Sequence, residues 1–555
     1  MIPILRRSKR ATVPIERLNI GLNGNKKIYA FKHAVHSARS KYLEALNNPD
    51  IVDSMRKEIK SLFDVGCISI VDLPPGRKAI GNRWVNKLKY GPDGEFLRAK
   101  SRICPWGFQQ EPDIDYKINE VSAPTLRMET ATTLLAITAQ RNMVDVLVDV
   151  DGAFQIPVNE QDVYMDFPKG FKRIPGKSIK LNHSMNGTKQ AAYNWHKLAD
   201  VLLQKKGLLP TLTDSCLYRR FKNGKLILVG LYVDDFRIAA DDQNDLDELV
   251  SYFKASYPVK VQPSNWWLGM KIEHDRVKGI LKVSQEQYIL QMLEKFDMSD
   301  CKPASTPAIP NSKLIKTPEG DKDYNALKFP YREAVGSLLW AARTSRPDIM
   351  YAVGKVSSHC NNPSQSHVNA VKHILRYLKG TATLGMTFRR APSLILEAMC
   401  DADWAGEPAE NDNPMKSTSG IVVYLRDVGI LYCESTLQST IAGSTAEAEY
   451  KCLGTGGKLV ESFRNLFEEL QFPQAESTII HEDNEACIVM ANANFISSKM
   501  RHINLNHHYI RELIRDKKII SLKPCKSEDM VADIMTKSLV PKTFLNLRER
   551  LLNGI

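Results

Sequence analysis

The stretch of sequence that decides the fold is Met143-Val-Asp-Val-Leu-Val-Asp-Val-Asp151. Valines occupy every second position and share one face of a β-strand, while Asp145, Asp149 and Asp151 share the other face with one leucine. A strand that faces water usually carries lysine, serine and threonine, whereas every polar residue here is an acid. The stretch therefore predicts a strand that collects carboxylates for a chemical purpose.

A second acidic β element follows at residues 226–240. The apolar run Leu226-Ile-Leu-Val-Gly-Leu-Tyr-Val233 leads into Asp234-Asp235, which is typical of a β-hairpin with two acids at its tip. Adjacent acids in a turn usually serve the turn alone. Two acid-tipped elements in one chain favour another interpretation, in which carboxylates from separate strands hold two Mg²⁺ ions about 4 Å apart. The residues predict two-metal phosphoryl transfer on nucleic acid.

The charge balance agrees with a nucleic-acid substrate. The chain has 76 lysines and arginines against 63 acids, a net charge of +13, and such an excess favours a polyanionic partner through phosphate neutralisation. Seven of these bases lie within the first thirty residues beside one acid, Glu16. This basic start is interpreted either as a solvated tail or as a binding arm.

Length and composition define the class of protein. At 555 residues and 43% apolar content, the chain has room for about three or four domains, and a wholly disordered chain is excluded. The longest apolar run is far shorter than the ~20 residues that cross a bilayer, and the first residues lack a signal-peptide core. Ten cysteines without C-x-x-C spacing predict reduced thiols. We expect a soluble, unsecreted protein without a membrane partner.

Changes in composition divide the chain into five predicted segments. A polar, proline-containing stretch at 302–322 and a second break at 389–393 predict domain boundaries. The segments are a basic tail or linker at 1–41, an α+β domain at 42–305, a mostly helical segment at 306–392, an α/β domain at 393–545 and a C-terminal tail at 546–555. Within 394–540 the predicted order is strand, strand, helix, strand, helix.

The α/β domain carries a second set of acids. Asp401 ends its first predicted strand, Asp483 ends a later strand, and Asp533 lies in a short helical pattern. Asp403 and Glu482 are neighbours of these acids in the sequence. They are interpreted as supporting or surface residues rather than as metal ligands.

A helix start supplies the fourth acid of this set. In Ser444-Thr-Ala-Glu447-Ala-Glu449 the serine and the first glutamate have capping-box spacing, in which each side chain satisfies a free backbone amide. Glu447 then has a structural role, and Glu449 is the acid left for a metal ion.

The motifs around the first acids resemble those of a known family. Tyr232-Val-Asp-Asp235 resembles the hairpin motif of reverse transcriptases, and Asp149-Val-Asp-Gly-Ala-Phe154 is similar to a motif of copia-type LTR retrotransposon polymerases. The resemblance covers about residues 45–540 and implies an α+β polymerase right hand with palm, fingers and a thumb-like region. Further matches follow in the family's order: Lys100-Ser-Arg102, Gly107-Phe-Gln109, Ser122-Ala-Pro124, Val163–Phe171, Gly187-Thr-Lys-Gln190, Trp267-Leu-Gly-Met270 and Arg346-Pro-Asp-Ile349.

This resemblance implies a role for each acid of the first site. Asp149, Asp234 and Asp235 would hold two Mg²⁺ ions, with Mn²⁺ as a substitute, to activate the primer 3′-hydroxyl and neutralise the leaving pyrophosphate. The implied partners are an RNA template, a DNA primer and deoxynucleoside triphosphates (dNTPs).

The resemblance also implies four nucleotide-binding residues. Lys100 and Arg102 would contact the triphosphate, Phe154 would lie beneath the incoming sugar and exclude a 2′-hydroxyl, and Gln190 is assigned to the same site. From residue types alone, the two bases fit a solvated strand face equally well. Phe154 on its own would be interpreted as an ordinary core aromatic.

The last domain resembles the copia-family version of ribonuclease H, after a helical connection. The similar segments are Asp401-Ala-Asp-Trp-Ala-Gly406, Lys416-Ser-Thr-Ser-Gly420, Ala446-Glu-Ala-Glu-Tyr450 and Ala532-Asp-Ile-Met-Thr-Lys537. The resemblance implies that Asp401, Glu449, Asp483 and Asp533 hold two Mg²⁺ ions. The domain would cut the RNA strand of an RNA–DNA hybrid, which it would recognise by the 2′-hydroxyls of the minor groove.

Three histidines, one of them single and two adjacent, lie between the third and fourth of these acids. Arg501-His502 and His507-His508 invite a zinc interpretation, but no cysteine lies at ligand spacing. The family has a similar basic stretch here, so contact with the hybrid is favoured.

Some positions depart from the family's usual pattern, although every predicted metal ligand is present. Pro105-Trp106 and Met185–Tyr193 differ from the common residues, and misplacing a substrate by about 1 Å can cost roughly a hundredfold in rate. A catalytically decayed remnant that keeps the fold and binds nucleic acid therefore stays an alternative. A protein that only packages nucleic acid is disfavoured, because such a surface gains nothing from acids that face phosphate.

The family context implies a cellular setting as well. We expect the chain to be part of a longer retrotransposon polyprotein in cytoplasmic virus-like particles, with the nucleus as the other compartment. The sequence does not set an oligomeric state.

Overall fold

The computed structural model describes residues 45–90, 95–310, 312–318, 329–408, 411–412, 414–493 and 509–554. Two predicted features lie outside these residues: the basic tail at 1–41 and the histidines within 501–508. The chain divides into two compact units, Met1–Ala123 with Gly152–Leu202 and Pro124–Asp151 with Leu203–Ile555.

The described residues contain the following strands and helices. The strands are β1 (Ile68–Asp72), β2 (Asn82–Tyr90), β3 (Phe96–Pro105), β4 (Val144–Val150), β5 (Val158–Met165), β6 (Lys177–His183), β7 (Leu209–Pro210), β8 (Leu217–Lys222), β9 (Lys225–Tyr232), β10 (Asp235–Ala240), β11 (Val259–Pro263), β12 (Trp266–Trp267), β13 (Met270–Asp275), β14 (Ile280–Ser284), β15 (Gly385–Arg389), β16 (Leu396–Asp403), β17 (Thr418–Leu425), β18 (Gly429–Leu437), β19 (Thr478–Glu482) and β20 (Ile520–Pro524). The α-helices are α1 (Pro49–Asp64), α2 (Met128–Gln140), α3 (Ala191–Gln204), α4 (Gln243–Ser256), α5 (Glu286–Lys295), α6 (Tyr331–Thr344), α7 (Met350–Ser357), α8 (Gln365–Gly380), α9 (Thr445–Glu469), α10 (Glu485–Asn492) and α11 (Pro541–Asn553).

The first unit contains a small sheet and a long hairpin. Strands β1, β6 and β5 form an antiparallel sheet, and β2 pairs with β3 in an antiparallel hairpin. Helix α1 starts at Asn48, whose side-chain oxygen accepts hydrogen bonds from the backbone amides of Asp50 and Ile51. Its buried Ile59 and Leu62 belong to a core shared with both β elements.

The second unit starts from a six-stranded antiparallel sheet, the palm sheet, with the order β11-β4-β10-β9-β8-β7. Strand β4 is the strand predicted from Met143–Asp151, and it lies between β11 and β10. Helix α2 is buried along ten consecutive residues, from Thr130 to Ala139. This interior helix packs against β9 of the palm sheet and against β14, β15 and β18.

The predicted helical segment at 306–392 contains α6, α7 and α8, but it ends in a strand that the sequence analysis missed. Strand β15 pairs with β14 and completes a four-stranded sheet with the order β12-β13-β14-β15. A Cβ atom on Gly385 would lie 1.9 Å from the backbone oxygen of Val283. Glycine is therefore needed where this strand approaches its neighbour, and a lone glycine is a weak sequence signal.

The last part of the chain forms a five-stranded sheet with the order β18-β17-β16-β19-β20. The first three strands are antiparallel, and β19 and β20 run parallel to β16. Helix α9 packs against β16 and β17. This arrangement confirms the ribonuclease H-like α/β fold and the α+β class of the palm.

The predicted element order within 394–540 was incomplete. Strands β18 and β20 were not predicted. The turn before β18 has three residues without a proline or paired glycines, and it contains Asp427 at φ 61°. The predicted tail at 546–555 was wrong for most of its length. Phe544, Leu547 and Leu551 are buried on one face of α11, which continues to Asn553.

The helical segment and the last domain share one hydrophobic core. Val371 and Tyr377 of α8 belong to the same cluster as Val422 of β17, Ile430 of β18 and Leu547 of α11. The predicted boundaries at 305/306 and 392/393 therefore fall inside one compact unit and stay predictions.

Helix α9 also contacts the palm part of this unit. Glu469, at its C-terminal end, accepts a hydrogen bond from the backbone amide of Thr213 at 3.1 Å, in the loop between β7 and β8. The ten cysteines form no disulfide. Within the described ranges, no helix combines the length and apolar character needed to cross a bilayer.

Two candidate metal sites

The acids of the first site meet because of strand register. Asp149 on β4 lies directly opposite Asp235 on β10 in the antiparallel ladder. The backbone amide of Val150 donates to the backbone oxygen of Asp234 at 3.2 Å, which places the second hairpin acid beside the same strand end. The three predicted ligands therefore come from two neighbouring strands, and all three are half-buried.

A strained turn presents the two hairpin acids. Tyr232 pairs with Asp235, which leaves Val233 and Asp234 as a two-residue loop. Val233 has φ 58°, the left-handed conformation that two-residue hairpin turns require but β-branched residues disfavour. Such strain, on the order of 1–3 kcal/mol, persists only where the surrounding structure imposes it.

The negative charges of this site act on one another. Burial, with the charges of Asp234 and Asp149, raises the pKa of Asp235 to about 6. Among the described residues, groups of three acids whose ligand atoms all lie within 4.8 Å of one another occur only in the second site. The first site is thus a loose set of carboxylates on a rigid backbone.

A buried ion pair lies on the same face of the palm sheet, and the sequence analysis missed it. The Arg237 guanidinium is completely buried and pairs with Asp145, with a ring nitrogen of His274 3.8 Å from that carboxylate. Burial alone would raise the pKa of Asp145, but the positive charge of Arg237, together with the neighbouring His274 imidazole, outweighs burial and lowers the pKa. Arg237 also lies 5.2 Å from the ring of Trp267, so the pair links β4 to the Trp267–Met270 turn.

Two of the predicted nucleotide-binding residues share one face of a strand in the first unit. Buried Ser101 and Ile103 alternate along β3 with half-buried Lys100 and Arg102. Burial raises the pKa of Glu58 in α1, and the charges of Arg102 and Lys100 oppose that rise. Glu58 is therefore a nearby counter-charge that the sequence analysis did not identify.

The other two predicted nucleotide-binding residues lie in different surroundings. Phe154 is half-buried in a short 3-10 turn, Ala153–Gln155. The Gln190 amide is buried, accepts a hydrogen bond from Gln110 at 3.1 Å and donates to the backbone oxygen of Asp115 at 3.3 Å. Gln190 therefore has hydrogen-bond partners within the first unit, and its contact with a nucleotide stays a prediction. The four residues lie in one unit and the three acids in the other, so the predicted contacts between them stay predictions.

The residues that depart from the family pattern are packed in the interior of the first unit. The amide of Gly107 donates to the backbone oxygen of Gly187 at 3.1 Å, and a Cβ atom on Gly107 would lie 2.2 Å from that oxygen. Trp106 covers Gly81 so closely that a Cβ atom there would lie 2.4 Å from its ring. Met185 is completely buried. These departures are accommodated by close packing.

The second site collects acids from four elements. Asp401 of β16 is 2% exposed and Glu449 of α9 is 3% exposed, while Asp483 follows β19 and Asp533 lies in a 3-10 helix, Val531–Met535. Ligand atoms of Asp401, Asp483 and Asp533 lie within 4.8 Å of one another. A second group with the same spacing is formed by Glu449, Glu482 and Asp483.

Of the two interpretations of Glu482, the surface position was wrong and the supporting role stays a prediction. It is completely buried, in phase with buried Thr478 and Ile480 along β19. One carboxylate oxygen accepts a hydrogen bond from the amide of Asn484 at 3.1 Å. Its Oε2 atom is buried without a hydrogen-bond partner. The period-two pattern of β19 was the signal that could have identified this acid.

The helix cap predicted at the start of α9 is confirmed with one change. The Ser444 hydroxyl accepts a hydrogen bond from the amide of Glu447 at 3.2 Å. The Glu447 carboxylate accepts from the amide of Gly443 at 2.8 Å, one residue earlier than a standard capping box. Glu447 is thus engaged at the cap, whereas Glu449 faces the acids.

Burial and mutual repulsion raise the pKa values of the acids of the second site. The pKa of Glu449 is raised to about 11 and that of Glu482 to about 8, in both cases chiefly by burial. Burial and the charge of Asp401 raise the pKa of Asp533 to about 7. The pKa of Asp401 is raised as well, by burial, although the charge of Lys537 opposes it.

Two neighbouring side chains partly compensate these charges. The Lys537 ammonium lies 2.7 Å from Asp533 and 3.9 Å from Asp401. Burial alone would lower the pKa of Lys537, but these two carboxylates outweigh it and raise the pKa. The Thr536 hydroxyl donates to Asp401.

The residues of the second site fit a divalent cation. The ligand atoms are all carboxylate oxygens, which suit Mg²⁺ and Mn²⁺. Oε2 of Glu449 and Oε2 of Glu482 are buried and have no hydrogen-bond partner. Buried polar atoms are normally satisfied, and a cation between these carboxylates would satisfy both.

Comparison with known proteins identifies the family. A family model described as reverse transcriptase (RNA-dependent DNA polymerase) matches residues 66–310. The retrovirus-related Pol polyprotein from transposon TNT 1-94 of Nicotiana tabacum is 35% identical over 92% of this chain and 38% of its own length. The putative transposon Ty5-1 protein of Saccharomyces cerevisiae is 30% identical over 55% of this chain and 97% of its own length.

A solved structure is also similar. The foamy viral protease-reverse transcriptase in complex with double-stranded DNA matches with a TM-score of 0.45 and 10% identity, over 86% of this chain and 70% of that chain. This chain spans less than two fifths of the tobacco Pol polyprotein, at 38%. The relatives in sequence, together with the palm motifs, show that the chain belongs to the reverse transcriptase family, among the Pol polyproteins of copia-type retrotransposons.

Proposed function

We propose that this chain is an RNA-directed DNA polymerase that copies retrotransposon RNA into DNA, and that its last domain cleaves the RNA strand of RNA–DNA hybrids. The observation that carries the proposal is the register of the palm sheet, which sets Asp149 opposite Asp235 with Asp234 beside them. Carboxylates in this arrangement suit two-metal phosphoryl transfer. The second set of acids, on a separate sheet, supports a second reaction.

In the polymerase reaction, the palm acids would hold Mg²⁺, with Mn²⁺ as a substitute. Bound ions would supply Lewis-acid activation of the primer 3′-hydroxyl and charge neutralisation at the leaving pyrophosphate. Lys100 and Arg102 would contact the triphosphate of the incoming dNTP, where positive charge offsets the charge that develops on the transferred group. Phe154 would exclude a 2′-hydroxyl from the sugar position.

In the hydrolytic reaction, Asp401, Glu449, Asp483 and Asp533 would hold the metal ions that activate water toward the RNA phosphate. Lys537 would keep part of this negative charge compensated while the site is free of substrate, because it already contacts two of the acids. The RNA strand would be distinguished from DNA by its 2′-hydroxyls.

The proposal includes the partners and the cellular setting. The partners are an RNA template, a DNA primer, the hybrid they form and dNTPs, with the rest of a Pol polyprotein as the covalent context. The positive net charge of +13 supports binding to these polyanions. The proposed compartment is the cytoplasm within virus-like particles, with the nucleus as the alternative.

Two matched substitutions test the proposal. Primer extension on poly(rA) with dTTP and Mg²⁺ measures synthesis, and release of labelled fragments from an RNA–DNA hybrid measures cleavage. Losing a metal ligand removes several kcal/mol of transition-state stabilisation, which is on the order of a thousandfold in rate. We expect Asp234→Asn to abolish synthesis with cleavage retained, and Asp401→Asn to do the reverse.

Other outcomes of this experiment have clear meanings. A folded wild-type protein without synthesis or cleavage would support the decayed remnant instead. Loss of both activities in either variant, with an unchanged melting curve, would contradict the division into two independent sites.

A further inference from the structure

The second site contains two overlapping groups of acids, which share Asp483. We call Glu449, Glu482 and Asp483 the inner triad, and Asp401, Asp483 and Asp533 the outer triad. In each triad, one ligand atom of every residue lies within 4.8 Å of the others. The geometry therefore offers two cation positions joined by one carboxylate, and the inner position depends on Glu482.

The surroundings of Glu482 leave one of its oxygens for a ligand. The Asn484 amide donates to Oε1 at 3.1 Å, and the Cys487 thiol is the other hydrogen-bonding neighbour. Oε2 has no partner, although the side chain is completely buried. An unsatisfied buried carboxylate oxygen is unfavourable by several kcal/mol, so it points to a positively charged occupant.

Glu449 shows the same feature from the other side of the inner triad. It is 3% exposed, and its Oε2 is also buried without a partner. The inner triad therefore contains two residues from different elements, β19 and α9, each of which has one unsatisfied buried oxygen. Lys537 and Thr536 contact acids of the outer triad. The Ser527 hydroxyl donates at 3.0 Å to Asp483, the acid that both triads share.

The outer triad already has a cation beside it. The Lys537 ammonium is within 2.7 Å of Asp533 and 3.9 Å of Asp401. A divalent ion at that position has to displace or share this ammonium. Among the described residues, no lysine or arginine forms an ion pair with Glu449, Glu482 or Asp483.

We propose that Glu482 is an additional metal ligand of this domain, and that the inner triad of Glu449, Glu482 and Asp483 binds one divalent cation before any nucleic acid is present. The outer triad binds its ion later, when substrate phosphate competes for Lys537. This inference deepens the proposed hydrolytic function and rests on it for its biological meaning. The binding itself is measurable in the free protein.

The test is a Mn²⁺ titration of the full chain without nucleic acid, in which electron paramagnetic resonance follows the free ion. Residues that only hydrogen-bond to metal ligands already contribute about 10- to 100-fold to metal affinity. We therefore expect Glu482→Gln, which would remove a ligand, to weaken the tightest Mn²⁺ site at least about tenfold. The matched control is Glu468→Gln, an exposed acid on the same helix as Glu449, which should bind Mn²⁺ as the wild type does. Unchanged tight binding in Glu482→Gln would overturn the proposal.

Two further variants protect the conclusion against misfolding. Lys537→Met should raise the number of tightly bound Mn²⁺ ions by one, because it uncovers the outer triad. In a cycle of Glu449→Gln and Glu482→Gln, the double variant should lose little more affinity than either single variant, since both would remove the same ion. Additive losses would contradict a shared position.

The outcomes also separate this inference from the proposed function. Tight Mn²⁺ binding that depends on Glu482, in a protein that cleaves no hybrid, would overturn hydrolysis and leave the metal site intact. Hybrid cleavage together with Mn²⁺ binding that does not depend on Glu482 would overturn this inference and leave the proposed function intact.

Discussion

The two acidic sites are built on different physical principles. The palm acids are half-buried and are brought together by backbone register, with Asp149 opposite Asp235. The acids of the second site are mostly buried, and side-chain packing brings their oxygens within 4.8 Å of one another. A site held by register can stay open to a large substrate, whereas a site held by packing keeps its carboxylates close at an electrostatic cost. The first should therefore depend on what supports its strands, and the second on what compensates its charge.

The largest expected effect concerns the support of the palm strands. Asp145→Asn should lower the free energy of unfolding by about 3–5 kcal/mol, because it leaves the completely buried Arg237 without its counter-ion. Denaturant titration followed by tryptophan fluorescence checks this, since Trp267 lies 5.2 Å from Arg237.

The matched control for this prediction is Glu273→Gln, which makes the same change in an exposed ion pair with Lys271. Its denaturation midpoint should equal that of the wild type. Equal stability of Asp145→Asn and Glu273→Gln would mean that the buried pair does not hold the strands.

A smaller effect should appear in the pH dependence of stability without metal. Carboxyls whose pKa is raised in the folded state bind more protons there than in the unfolded chain, so stability falls as pH rises from the unfolded to the folded pKa. Asp235, with a pKa of about 6, contributes to this fall in stability below about pH 6. Asp533, with a pKa of about 7, and Glu482, with a pKa of about 8, contribute to it up to about pH 8. One unit of pKa shift corresponds to about 1.4 kcal/mol.

Melting curves in EDTA between about pH 4 and 8 separate the two sites. Asp235→Asn should flatten the decline only below about pH 6, whereas Glu482→Gln should flatten it up to about pH 8. Mg²⁺ should restore stability increasingly as pH rises, because metal ligands must lose their protons. If the stability of both variants declines with pH as it does in the wild type, other titratable groups cause the decline.

The smallest effect tests the strained hairpin. Val233→Asn should raise the free energy of unfolding by about 1 kcal/mol, because asparagine tolerates the left-handed conformation at φ 58° better than a β-branched residue. Denaturant titration measures the gain. A loss of stability would show that contacts of the valine side chain outweigh the backbone strain.

Sequence patterns predicted the palm site well because its determinants are local. The alternation of Val144–Val150 fixes the strand, and the acids at the tip of the 226–240 hairpin follow from the same period. Their meeting also required the pairing of β4 with β10, and only the family resemblance supplied that expectation.

The remaining features depend on contacts between distant residues. The pairing of Arg237 with Asp145 follows from the register of β10 on β4, which no local pattern encodes. Gln190 looked available for a nucleotide, but partners far away in sequence bury it. Glu482 is the instructive case, because its phase with Ile480 was visible and the family pattern drew attention to its neighbour instead.

The core shared by α8, β17 and α11 has a consequence for the processing of a polyprotein. A protease that cut the chain between β15 and β16 would break the peptide bond without parting the fragments, because apolar residues on both sides, such as Tyr377 and Val422, would still be packed together. Glu469 would also keep its hydrogen bond to the loop at Thr213. Cleavage at that point would therefore yield a nicked, non-covalently associated protein rather than two separate fragments.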